Sequence, residues 1–111
     1  MASGHTLAPA AVGAFASLLE KNNRIVKFGV GNEALGDDGV CELAPGIAKS
    51  RSVVHLEMDM KGMGTRGCEA LAKALEENRS VKRLNLARNK IGDAGLRAIA
   101  QSLAANGEES R

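Results

Sequence analysis

The chain has 111 residues, of which 44% are apolar and 25% charged, and a formal net charge of +2. This describes one soluble globular domain and excludes a disordered chain, while the net charge by itself says little about partners. Its only aromatic residues are Phe15 and Phe28, which removes the stacking platforms that single-stranded nucleic acid requires and most of the large anchors of tight interfaces.

In chain order, Leu7 to Lys21 reads as a helix, with Pro9 suited to its first turn and Leu7, Phe15 and Leu19 as its apolar positions. The apolar run Ile25 to Val30 then reads as a strand, followed by a glycine-rich turn and a helix carrying Leu43 and Ile47. The same series returns twice. Val53 to Met58 and Val81 to Leu86 match the first strand at a spacing of 28 residues, and Leu35, Met63 and Ile91 follow in register. The glycines align as Gly36, Gly64 and Gly92, then as Gly39, Gly67 and Gly95; the helices align as Leu43, Leu71 and Ile99, then Ile47, Leu75 and Leu103. A fixed period between 20 and 50 residues marks a solenoid, in which each unit buries its apolar face only against its neighbours.

Each unit reads as strand, turn, helix and return. Asp37, Thr65 and Asp93 share a column at the start of the helices and are expected to cap them. Asn22, Asn78 and Asn106 are expected to end the helices in a left-handed turn. The predicted units are a helical half-repeat or cap at 7–22, full repeats at 23–50, 51–78 and 79–106, and a polar tail at 107–111, all within one domain.

The third unit carries the pattern Val81-x-x-Leu84-x-Leu86-x-x-Asn89-x-Ile91, continued by Gly92-Asp93-x-Gly95-x-x-x-Ile99-Ala100-x-x-Leu103-x-x-Asn106. This resembles the leucine-rich repeat of ribonuclease-inhibitor type, a family that includes ribonuclease inhibitor, the Ran GTPase-activating protein, the NOD-like receptors and the tropomodulin tail domain. The segment Asn22 to Asp38 is particularly similar to tropomodulin. The resemblance implies an α/β solenoid, a short right-handed stack of about three and a half repeats with a parallel sheet on the concave face and helices on the convex one. It also implies that Asn89 satisfies backbone groups of the loop after the strand. The counterparts of Asn89 are Glu33 and Lys61, whose charges are expected to turn outward and leave looser loops. Pro45 lies inside the first complete helix and is expected to shorten or kink it near Glu42.

On such a sheet the side chains between the apolar strand positions form rows across the repeats: Lys27, His55 and Arg83; Gly29, Glu57 and Asn85; Gly31, Asp59 and Ala87; Asn32, Met60 and Arg88. The expected face has an acidic centre, Glu57 and Asp59, flanked by Lys27, Arg83 and Arg88, and the resemblance implies that it binds a protein partner. Lys27, His55, Glu57, Asp59, Arg83, Asn85 and Arg88 are the candidate contacts. The bland reading is that these charges only pair across strands and keep the sheet soluble.

Chemistry has little to build on. His55, Glu57 and Asp59 alternate on one strand face, but alternate residues stand ~6.6–7 Å apart, an awkward set for one metal ion. The glycines of Gly62-x-Gly64-x-x-Gly67 mimic a dinucleotide motif, yet they recur as turn glycines. No catalytic residue, metal or cofactor is assigned. Cys41 falls on an outer column and Cys68 on a core column with Val40 and Leu96, so both are expected as free thiols in a reducing, cytoplasmic setting. No signal peptide and no membrane span are read from the chain. From Arg79 to Asn106 six bases face one acid, Asp93, so this repeat is a basic block of about +5. Nucleic-acid binding there is only a further, disfavoured alternative; the runner-up to a protein-binding module is a structural segment of a longer solenoid or an edge-paired oligomer in a cytoskeletal or scaffold role. The strand Val81 to Leu86 is expected to leave an open edge, through which the chain either pairs as a homodimer or continues into a longer solenoid.

Overall fold

The structure is a computed structural model describing residues 9–29, 34–59 and 61–110. Its elements are α1 (Pro9–Lys21), β1 (Lys27–Phe28), α2 (Gly36–Lys49), β2 (His55–Glu57), α3 (Thr65–Glu77), β3 (Arg83–Asn85) and α4 (Gly92–Ser110). The three strands form one parallel sheet in the order β1-β2-β3. Lys27 pairs with His55 and His55 with Arg83; Phe28 pairs with Leu56 and Leu56 with Leu84. The sheet register is therefore the sequence period. The helices form the second layer, in which α1 packs on α2, α2 on α3 and α3 on α4, with no helix among the described residues contacting beyond its neighbour. Leu7 lies outside the described residues, and α4 runs on as helix through the polar segment to Ser110.

Because α2 and α3 are packed on both sides, the same columns are buried in each: Val40 and Cys68, Leu43 and Leu71, Ala44 and Ala72, Ile47 and Leu75. At the first end, the Phe15 and Phe28 rings meet edge to face at 5.6 Å and tie α1 to β1. Gly46 sits against α1 so closely that a Cβ there would overlap the carbonyl oxygen of Ala16. The helix layer is thus drawn in by a missing side chain.

Asn89 joins adjacent loops. Its amide nitrogen donates to the carbonyls of Met58 (2.7 Å) and Leu86 (3.0 Å), while its oxygen accepts from the backbone N–H of Lys61 (2.9 Å) and Met63 (3.1 Å). The second repeat has no asparagine of its own here, and its loop is completed by the third. The first loop is met the same way, by backbone: Leu35 and Gly36 both donate to the Lys61 carbonyl. This fixes Lys61 between two loops and overturns its expected position, since Lys61 is 1% exposed rather than turned outward. Glu33 lies outside the described residues.

Three further expectations fail. Asp37, Thr65 and Asp93 do not cap their own helices: α2 and α3 have no side-chain cap, and all three residues lie in the first turn. Asp37 instead accepts from the N–H groups of Gly64 (2.7 Å) and Gly67 (2.9 Å) in the next repeat, and Thr65 donates to the Ile91 carbonyl (2.7 Å). Asn78 is extended, at φ −75° and ψ 137°, because its side chain has two tasks that need an open backbone. Its nitrogen donates back to Ile47 and Ser50, and its oxygen receives the N–H groups of Ser80 and Val81. Pro45 does not shorten α2, which at 14 residues is one longer than α3. Pro45 stands on the exposed side, so the carbonyl that it leaves without an N–H partner can meet water.

Replacing Asn89 by Ala should lower the unfolding free energy by about 2–3 kcal/mol in urea titration, because several half-buried backbone groups lose their partner together. Gly46→Ala should cost about 1–3 kcal/mol by the same measurement, since α1 must move outward to admit the methyl group.

Candidate interaction surface

The short strands set the first row of the sheet face as Lys27, His55 and Arg83. His55 is half-buried; Lys27 and Arg83 are exposed, and among the described residues no hydrogen bond or ion pair engages either side chain. In the next row Glu57 is held from two sides. His55 Nε2 lies 2.7 Å from one carboxylate oxygen, and Asn85 donates to the other at 3.0 Å. Gly29 makes room for it, since a Cβ there would stand 3.0 Å from the Glu57 Cβ. Asp59 meets Arg88 at 3.4 Å. Among the described residues Arg88 is the non-glycine residue with positive φ, 60°, a backbone state that costs most side chains energy. Gly31, Asn32 and Met60 lie outside the described residues.

The expected acidic centre is present in position but occupied. Both carboxylates are engaged within the chain, Glu57 by His55 and Asn85, Asp59 by Arg88. The charges left open to a partner are the positive ones at Lys27 and Arg83. Exposed pairs of this kind contribute ~0–1 kcal/mol each, so they order the face more than they stabilise the fold.

Two other arrangements escape column-by-column reading. On the helix side, Arg66 reaches back one repeat to Asp38 at 2.6 Å and to the Cys41 sulfur at 3.6 Å. The hydrogen bond that Arg66 donates to Asp38, and the Asp38 charge, raise the Arg66 pKa further. On the edge where helices end and strands begin, an open groove of about 730 Å³ is lined by Lys21 and Lys49, by Arg51 and Arg79, and by Glu20 and Glu77. The two basic pairs are each one period apart, so their stacking was present in the alignment as a signal. Among the described residues no group of three His, Cys, Asp or Glu side chains is placed to hold a metal ion. No helix among them is long and apolar enough to cross a membrane.

A leucine-rich-repeat family model matches residues 77–100, which is most of the third repeat. Among solved structures, the chain is similar to leiomodin-1 actin-binding site 2, with a TM-score of 0.81 and 20% sequence identity over 94% of this chain. It spans 61% of the length of that structure. At this identity the likeness carries the fold. No curated protein matches the sequence.

Both cysteines are free, and their positions differ as their columns predict. Cys68 is fully buried, donates to the Gly95 carbonyl, and has its thiol pKa pushed up by burial. A thiol reagent should therefore label the native chain once, at Cys41, with Cys68 reacting at least about tenfold more slowly until urea is added; peptide mass mapping reads the order.

Proposed function

We propose that this leucine-rich-repeat solenoid is a non-catalytic protein-binding module that receives an acidic segment of a partner on its sheet face. The observation that carries the reading is the division of charge on that face. Glu57 and Asp59 are spent on His55, Asn85 and Arg88, whereas the side chains of Lys27 and Arg83, in one register row, have no partner among the described residues. A face so arranged is complementary to negative charge and lacks aromatic anchors, so one copy should bind weakly and with a marked salt dependence. In this reading Lys27 and Arg83 contact the partner, Arg88 borders them, and His55, Glu57, Asp59 and Asn85 hold the surface in shape.

The likeness to an actin-binding site makes actin the first partner to test. Cosedimentation with filaments and anisotropy with monomers cover both forms. If actin binds, the double reversal Lys27→Glu with Arg83→Glu should weaken it about tenfold, the equivalent of ~1.4 kcal/mol. Unchanged binding by that variant removes the sheet face from the site. Binding that persists after nuclease treatment separates this reading from nucleic-acid binding through the basic third repeat.

A second reading, a structural segment of a longer or edge-paired solenoid, is favoured by one observation. Leu96 is 54% exposed and Leu103 is 42% exposed, although their columns are buried in the earlier repeats.

A further inference from the structure

The first row of the sheet face holds two cations left over by the fold. Lys27, His55 and Arg83 stand side by side on β1, β2 and β3. Adjacent parallel strands lie ~4.8 Å apart, so Lys27 and Arg83 start roughly 10 Å from each other with the middle strand between them. Both side chains are exposed and long enough to lean over that strand from opposite sides. Between them His55 is half-buried and turns Nε2 to Glu57 at 2.7 Å, so the row has a low middle and two charged ends. Gly29, also exposed, carries no side chain, so the backbone of a partner can come close over β1.

The charge count fits one doubly charged group. On and beside the described face, Lys27, Lys82, Arg83 and Arg88 stand against Glu57 and Asp59, a balance of +2 with His55 neutral. Arg88 is spent on Asp59, and the Glu57 oxygens are engaged by His55 and Asn85. A carboxylate brings one charge for the two bases of the row. A phosphate monoester brings about −1.5 to −2 at pH 7 and three acceptor oxygens, so a single group can take hydrogen bonds from Lys27 and from Arg83 together. A nucleotide is a poor carrier of that phosphate. Phe28 is buried in the core and Phe15 lies on α1, so the face offers a base no ring to stack on.

The inference rests on the reading of the sheet face as a site for an acidic segment, and narrows it. We propose that the row is a phosphoresidue site: a phosphoserine or phosphothreonine in an extended segment of a partner protein sets its phosphate over His55, with Lys27 on one side and Arg83 on the other. Binding is then switched on by phosphorylation of the partner.

The test measures binding of the full chain, by fluorescence anisotropy, to nine-residue peptides that differ only at the central residue: phosphoserine, Glu or Ser in an otherwise uncharged sequence. The phosphoserine peptide should bind at least tenfold more tightly than the Glu peptide, and the Ser peptide should not bind. Lys27→Gln and Arg83→Gln should each weaken the phosphopeptide about fivefold or more, and circular dichroism checks that the variants keep their helices. Lys49→Gln, at a base outside the face, should change nothing; an equal loss there would make the attraction one of general charge and overturn the proposal. Equal binding of the phosphoserine and Glu peptides, lost in the Lys27 and Arg83 variants, would overturn the phosphate site and leave the acidic-segment reading standing. Phosphopeptide binding that survives both substitutions would overturn both readings. No binding of any peptide at millimolar concentration would overturn the phosphate site alone, since the actin measurement decides the broader reading. Displacement by inorganic phosphate at the peptide's own concentration would make the ligand a free anion, and tighter binding to vesicles containing phosphatidic acid would make it a lipid headgroup; either result overturns the proposal.

Discussion

A solenoid cannot hide its loops inside a single core, so the polar backbone of each loop has to be satisfied by the loop next to it. In this chain that constraint is met by a few side chains that act on a neighbour rather than on themselves. Asn89 closes the loop of the second repeat, Asn78 reaches back to Ile47 and Ser50, Asp37 reaches forward to Gly64 and Gly67, and Ser102 donates to the Ala72 carbonyl. Each leaves few buried groups without a partner, and among the described residues no buried side-chain nitrogen or oxygen lacks a hydrogen bond. The apolar columns pull the repeats together; these polar links decide how far one may slide along the next.

The period was legible because burial is a column property. Phe28, Leu56 and Leu84 had to share a layer once the spacing was seen, and the strand register follows it residue for residue. What could not be read was the direction in which a polar side chain spends its hydrogen bonds. Asp37 at the start of a helix looks like a cap, and within one repeat it would be one; only the stacked neighbour offers it better donors. Lys61 looks like a surface residue by chemistry, but its position is set by backbone bonds on both sides. Pro45 looks disruptive until its exposed side is known. Of the sheet face, the rows were legible and the pairing was not. The alternation of strand residues places Lys27, His55 and Arg83 together, while the capture of Glu57 by His55 and Asn85 depends on side-chain reach and on the missing side chain of Gly29.

That pairing reconciles the two readings of the face. Exposed charges that pair across strands are ordinary in a soluble sheet. Here pairing removes the acids selectively and leaves a residual positive row, so the bland explanation of Glu57 and Asp59 is also what gives Lys27 and Arg83 their meaning. Such a surface recognises charge and register more than shape, consistent with the scarcity of aromatic residues.

The link made by Asn89 also orders the chain in time. Synthesis delivers the repeats from the N-terminus, so each helix is made after the one it packs on. The loop of the second repeat is different. Its N–H groups at Lys61 and Met63 wait for an acceptor encoded 28 and 26 residues later. The middle of the solenoid is therefore finished from the far side: the loop that holds Lys61 has its acceptor only where the third repeat is in place.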